Sequence, residues 1–166
     1  VSETLDAVDV RLLQLLDLDG RASLRSLAEA VGLSGPAVAD RISRLTERGI
    51  IRRFAVDIDW ARLGLPTLAH IALLTDKTQH IETVMSRLRE VERIEEISIV
   101  TGSIDLLVRA RVADLVDLRR LLVERIWPIE GIQRVETTLA VETLALPDFT
   151  AALLTDRTTS DGSSRS

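Results

Sequence analysis

Residues 33–53 read LSGPAVADRISRLTERGIIRR and hold five arginines. Arg41, Arg44 and Arg48 stand at i, i+3 and i+7, so on a helix they share one stripe. Arg52 and Arg53 extend the run. Over residues 34–53 five basic residues stand against two acidic ones, Asp40 and Glu47, a local charge of +3 in a chain of net charge −5. Guanidinium groups arrayed this way grip phosphates, and each phosphate contact steepens the salt dependence of binding by about one unit of slope. The competing reading is internal. Arg41 would pair with a carboxylate, and Arg48 would complement the negative end of its helix.

Other chemistry finds little support. The 166 residues include no cysteine, which removes disulfides, zinc–thiolate sites and thiol catalysis. The two histidines, His70 and His80, stand alone, and no P-loop, GxSxG or HExxH motif occurs. No metal, cofactor or catalytic group is therefore expected. No apolar run approaches the ~18–20 residues of a membrane span. The opening VSETLDAVDV lacks the pattern of a secretory signal, so a cytoplasmic protein is expected.

The arginine stripe needs elements to hold it. Leu5, Val8, Leu12, Leu15 and Leu16 recur at helical spacing, with Asp6 as the cap and Gly20 as the stop. Residues 23–31 read as a second helix capped by Ser23, with Leu24, Leu27, Ala28 and Val31 inward. Gly32 permits a sharp turn. Ser34 caps a third helix with Pro36 in its first turn and Val38, Ile42 and Leu45 inward, and Gly49 ends it. IIRRFAVDID (50–59) then reads as a β-strand.

Helices two and three form a helix-turn-helix, whose second helix enters the DNA major groove by its N-terminal part. The base-reading candidates are Gly35, Pro36, Ala37, Ala39, Asp40 and Ser43, mostly small residues suited to close approach, and the capping Ser34 is a further DNA-contact candidate. Arg41, Arg44, Arg48 and Arg52 are the phosphate candidates, joined by Arg21 and Ser23 at the start of the second helix.

WARLGLP (60–66) places a Gly and a Pro together and suits a hinge. Beyond it, TLAHIALLT reads as a strand and HIETVMSRLREV as a helix. IEEISIVTG and IDLLVRARV read as two strands turning at Gly102-Ser103. ADLVDLRRLLVERIW reads as a helix and GIQRVETTLAVETLA as a last strand. The order β-α-β-β-α-β is the ferredoxin-like arrangement, and the fold class is α+β. Its helices cover one sheet face. The apolar character of AHIALL, ISIV and DLLV on the other predicts self-association through that face. The expected division is residues 1–63 for the helix-turn-helix and hinge, 64–145 for the ferredoxin-like unit, and 146–166 for an extension. LPDFTAALL predicts one more short helix, and TDRTTSDGSSRS a disordered tail.

These residues resemble the Lrp/AsnC (feast/famine) transcription regulators. The likeness rests on Leu5-Asp6 with Asp9, Gly20-Arg21, Leu27-Ala28, Gly32-Leu33-Ser34, Val38, Arg41-Ile42, Leu45, Gly49-Ile50-Ile51 and Leu63-Gly64. VTGSIDLLV, IWPIEGI and RVETTLAV carry it through the second half. The resemblance implies a winged helix-turn-helix joined to a RAM-type effector domain, and homodimers formed largely through the sheets and often gathered into octamers. It also implies a small effector, often an amino acid, held around the turn Thr101-Gly102-Ser103-Ile104-Asp105, with Thr137 matching a family threonine near that pocket. Backbone N–H groups of a glycine turn suit a carboxylate, and Asp105 suits an α-ammonium. The family commonly carries Gly-Asp-Tyr-Asp where this chain has Gly102-Ser103-Ile104-Asp105.

Two alternatives follow. An effector-independent architectural protein would wrap DNA around an oligomer. A siroheme-decarboxylase-like enzyme would share the strand Ile50–Phe54, but those proteins replace the glycine turn with an aromatic- and Pro-rich segment that VTGSID does not match.

Overall fold

The computed structural model describes residues 5–160 except 77, 145, 147 and 148, with the backbone alone described over 155–160. Two compact units result: one holds the described residues up to Asp57 together with those from Leu144 onward, the other spans Ile58–Thr143.

The first unit is built on three helices, α1 (Ala7–Leu18), α2 (Leu24–Val31) and α3 (Gly35–Glu47). Short-range chemistry sets their ends. Asp6 accepts the Asp9 N–H at 2.8 Å in a capping box, Ser23 accepts from Ser26, and Ser34 accepts from Ala37. Gly32 ends α2 in the left-handed region at φ 70°, with its N–H on the Ala28 carbonyl, which makes the turn into α3. Leu12, Leu27, Ala28 and Val38 are buried where the three helices meet.

The expected strand over 50–59 is absent. Residues 52–59 are exposed and join no ladder among the described residues. Phe54, Val56 and Ile58 alternate as a strand would, and all three are exposed. Alternation shows that a segment can lie extended, but a strand also needs a neighbour for its N–H and C=O groups, and none pairs with it among the described residues.

The second unit has a four-stranded antiparallel sheet in the order β2-β3-β1-β4, from β1 (Thr67–Thr75), β2 (Ile94–Ile99), β3 (Leu106–Val112) and β4 (Ile132–Leu139). Helices α4 (Ile81–Arg89) and α5 (Leu115–Arg120) pack on one face. α5 runs on through a π-helical stretch, Leu121–Ile126, that periodicity alone does not reveal. Ala69, Ile71 and Leu73 of β1, Val108 and Ala110 of β3, and Val84, Leu88, Leu121 and Ile126 from the helical layer are buried in one core.

The other face departs from expectation. Ala72, Leu74 and Leu107 lie on it half-buried, but Arg109, Arg111, Glu96, Arg134 and Glu136 lie there as well. Arg109 pairs with Glu96 at 2.9 Å and with Glu95, while Arg111 pairs with Glu95 at 2.7 Å. The face is apolar along part of β1 and β3 and charged elsewhere.

The C-terminal helix, α6 (Phe149–Ser160), returns to the first unit and packs on α1, where the Gln14 amide donates to the Ala151 carbonyl at 3.5 Å. It is longer than predicted, running through TDRTTS, which composition alone assigned to a disordered tail. Residues 161–166 of that tail lie outside the described residues.

Candidate DNA interface and effector site

α3 presents its N-terminal turns outward. Ser34, Pro36, Asp40, Ser43, Arg44 and Arg48 are exposed, while Gly35, Ala37 and Ala39 are half-buried. Val38 and Leu45 face the core, which fixes the helix's rotation, so that Pro36, Asp40, Ser43, Arg44 and Glu47 are on the open side and Gly35, Ala37 and Ala39 flank it. Ser43 donates to Glu47 at 3.0 Å, and Arg44 pairs with Asp40 at 3.1 Å, both on the exposed face. Such surface pairs are worth little and exchange readily for a phosphate. Arg21 and Arg52 are exposed, and Ser23 is committed to capping α2.

Arg41 corrects the sequence reading. Its Nη1 donates to Asp6 Oδ2 at 2.6 Å and to Asp9 Oδ1 at 2.7 Å, which points the guanidinium at α1 rather than outward. Its side chain is 23 % exposed and that of Asp9 12 %. Burial alone would raise the Asp6 carboxyl. The Asp9 backbone N–H, then the hydrogen bond and charge of Arg41, outweigh that and hold it below the ordinary value. The two carboxylates in turn raise the Arg41 guanidinium. Arg41 therefore ties the start of α1 to the middle of α3. Asp9 was not among the predicted site residues. The signal that could have found it is its place at the third position behind an Asp N-cap, where a carboxylate faces the helix entrance.

The turn at the other predicted site spans residues 100–105, between β2 and β3. Thr101, Gly102 and Ser103 are exposed, and Gly102 has φ 130°, open to glycine and strained for other residues. The Asp105 carboxylate is held from behind, with Oδ2 accepting the N–H and the hydroxyl of Thr75, each at 2.8 Å. Thr137 lies on β4 opposite Ile71 and faces the helix layer. β4 is separated from β3 by β1, and Thr137 is paired with Ile71 rather than with the β1 residues, Leu73 and Thr75, that Asp105 bonds. Among the described residues no group of three or more His, Asp or Glu side chains is placed to hold a metal ion.

Comparison with known proteins bears on both sites. The winged helix-turn-helix DNA-binding domain matches residues 5–52, and the Lrp/AsnC ligand binding domain matches residues 68–146. The HTH-type transcriptional regulator Ptr1 of Methanocaldococcus jannaschii is 32 % identical over 139 residues, 84 % of this chain and 93 % of that protein. The chain belongs to the Lrp/AsnC family. It is a transcriptional regulator with a DNA-binding helix-turn-helix and a ligand-binding domain. The leucine-responsive regulatory protein of Haemophilus influenzae is 29 % identical over 150 residues, 89 % of this chain and 90 % of that one. A Neisseria meningitidis transcriptional regulator solved with L-Met shares the fold, with a TM-score of 0.82, 24 % identity, and coverage of 86 % of this chain and 94 % of that one. No helix among the described residues is long and apolar enough to cross a membrane.

Proposed function

We propose that this Lrp/AsnC regulator reads duplex DNA with the first turns of α3, residues Ser34 to Ser43 without Arg41. Arg44, Arg48, Arg52 and Arg21 contact phosphates, and Ser23 helps seat α2 on the backbone. The observation that carries the reading is the division of labour on α3. Arg41 is turned inward onto Asp6 and Asp9, while Arg44 and Arg48 are exposed, as are Pro36, Asp40 and Ser43, with the small residues Gly35, Ala37 and Ala39 half-buried at the flanks. A small-residue surface lets the helix approach base edges closely, so specificity rests on contact with thymine methyls and on shape, and affinity rests on the arginines.

The effector we propose is an amino acid at the turn 101–105, its carboxylate on the backbone N–H groups around Gly102. The L-Met complex of the Neisseria relative supports that class. Thr137 joins such a site only from a second copy, which fits a dimer or larger homo-oligomer working with DNA in the cytoplasm. One observation favours effector-independent architectural binding. Asp105 is already engaged by Thr75, leaving less of its carboxylate for an ammonium group.

Binding to selected genomic fragments by fluorescence anisotropy, with and without each amino acid, tests the proposal. Tight binding to selected over random duplex, shifted by at least one amino acid, is the expected result. Equal affinity for all duplexes sinks sequence reading. Specific binding that no amino acid moves supports the architectural alternative.

A further inference from the structure

The open side of α3 carries an acid where DNA would lie. A period of about 3.6 residues sets Pro36, Asp40, Ser43 and Glu47 in one line opposite the buried Val38 and Leu45. Gly35, Pro36, Ala37 and Ala39 have no side-chain group that donates or accepts a hydrogen bond. Ser34 accepts the Ala37 N–H as the cap, and Ser43 donates to Glu47 at 3.0 Å. Two charged residues stand between Ser34 and Ser43, Asp40 and Arg41, and Arg41 is turned onto Asp6 and Asp9. Asp40 is therefore the one outward charge in the first turns of the helix, and it is negative.

A carboxylate facing a polyanion lowers affinity unless a donor answers it. In the free chain Arg44 does so, with its Nη2 3.1 Å from Asp40 Oδ2. The two side chains are 57 % and 66 % exposed, so the pair is hydrated and easily parted. Once Arg44 turns to a phosphate, Asp40 enters the groove without it and needs a new donor. A carboxylate only accepts. Among the base edges of the major groove, the donors are the N4 amino group of cytosine and the N6 amino group of adenine. Adenine N6 lies between two acceptors, its own N7 and the O4 of the paired thymine, whereas cytosine N4 has one beside it, guanine O6. Guanine and thymine turn only acceptors toward a carboxylate and repel it.

We propose that Asp40 is a specificity-determining residue, which accepts a hydrogen bond from the N4 amino group of a cytosine in the major groove. This rests on the reading of α3 as the DNA-reading helix and adds one polar contact to it. The selectivity is built more from rejection than from attraction. Opposite a base without a free donor, Asp40 is left desolvated and unpaired among phosphates, so binding there is weakened. Arg44 holds the phosphate at every sequence, while Asp40 is satisfied at one. An exposed aspartate on the groove side of an arginine-bearing helix thereby has a use that a neutral side chain would not serve.

The test uses the full chain and duplexes that it selects from a randomised library. Competition binding then measures all four base pairs at each position of the selected site. The wild-type chain should prefer cytosine at one position, or at a symmetry-related pair, by roughly tenfold or more over each other base. Asp40→Ala should remove that preference, leave the other positions unchanged, and raise affinity for random duplex, since a charge that opposes phosphates is gone. Asp40→Asn should move the preference at the same position toward adenine, whose N6 and N7 suit an amide. The unchanged positions show that the helix still docks, so lost selectivity cannot be put down to misfolding. A cytosine preference that survives Asp40→Ala, no gain of adenine in Asp40→Asn, or variants that bind every duplex more tightly by one common factor would each overturn the proposal. In those cases the wild-type chain is still selective, and the reading of α3 stands. Equal wild-type affinity for all duplexes would instead overturn that reading, and the role of Asp40 with it.

Discussion

At the scale of single residues, the clamp of Arg41 on Asp6 and Asp9 sets both stability and the geometry of α3. Asp9 is largely buried, and removing it leaves Arg41 facing a half-empty site. Asp9→Ala should therefore destabilise the first unit by about 1–3 kcal/mol, read as a lowered thermal midpoint. The Asp6 carboxyl is held below its ordinary value of 3.8 in the folded chain. A group with a depressed folded value contributes stability that is complete above the unfolded value and is lost as pH falls through the folded one. Melting followed from neutral pH down to acid should thus show a loss of stability below about pH 4 that is smaller in Asp6→Asn. An equal acid loss in the two proteins would remove Asp6 from the account. Arg44 and Arg48 belong to the other side of the helix. Arg44→Ala and Arg48→Ala should each weaken DNA binding at all sequences and lower the salt slope by about one unit. Anisotropy titrations across a salt series measure this directly, and an unchanged slope would take that residue off the phosphates.

Elements show where sequence stops being sufficient. The ends of α1, α2 and α3 were legible because each is set within three or four residues: Asp6, Ser23 and Ser34 as caps, Gly32 as the turn. The order of strands and helices was legible because its periods alternate between two and 3.6. What failed depends on distant partners. The segment 50–59 has a strand's alternation but no neighbour to pair with. Sequence left Arg41 between a phosphate and an internal carboxylate, because the carboxylates it meets lie 35 and 32 residues away. The charged network on the outer sheet face was hidden for the same reason, since Glu95 and Glu96 meet Arg109 and Arg111 only once β2 and β3 pair. α6 is another such case, because a polar composition says nothing about a helix that packs on α1. Leu13 and Leu16 of α1 and Leu154 of α6 line one cleft of about 450 Å³ with residues 50–55. Ending the chain at Leu146 should expose that side of α1 and lower the stability of the first unit by about 1–2 kcal/mol, while the sheet unit keeps its own transition. Calorimetry that resolves the two transitions would show which one moves, and an unmoved first transition would mean that α6 contributes nothing to it.

For the whole molecule, the question is what covers the sheet face that the helices leave open. Ala72, Leu74 and Leu107 give that face an apolar strip, and Arg109 holds a buried Nε with no acceptor among the described residues. The charges around the strip are largely paired within the chain, so they can approach another sheet with less loss of hydration than free charges would suffer. The exposed stripe of Phe54, Val56 and Ile58 adds a second apolar surface on an unpaired backbone. A second copy would supply a counterpart for each, because a two-fold axis sets identical surfaces face to face. Leu107→Glu places a charge at the centre of the strip while leaving the helix-facing core untouched. Light scattering should report an assembly larger than one chain for the parent protein and a smaller mass for Leu107→Glu, with circular dichroism unchanged. DNA affinity should fall with the mass, because two helix-turn-helix units on one duplex gain from effective concentration that a single unit lacks. A variant that dissociates yet keeps full affinity would separate assembly from DNA binding, and a parent protein that is already monomeric would leave the open face to another partner.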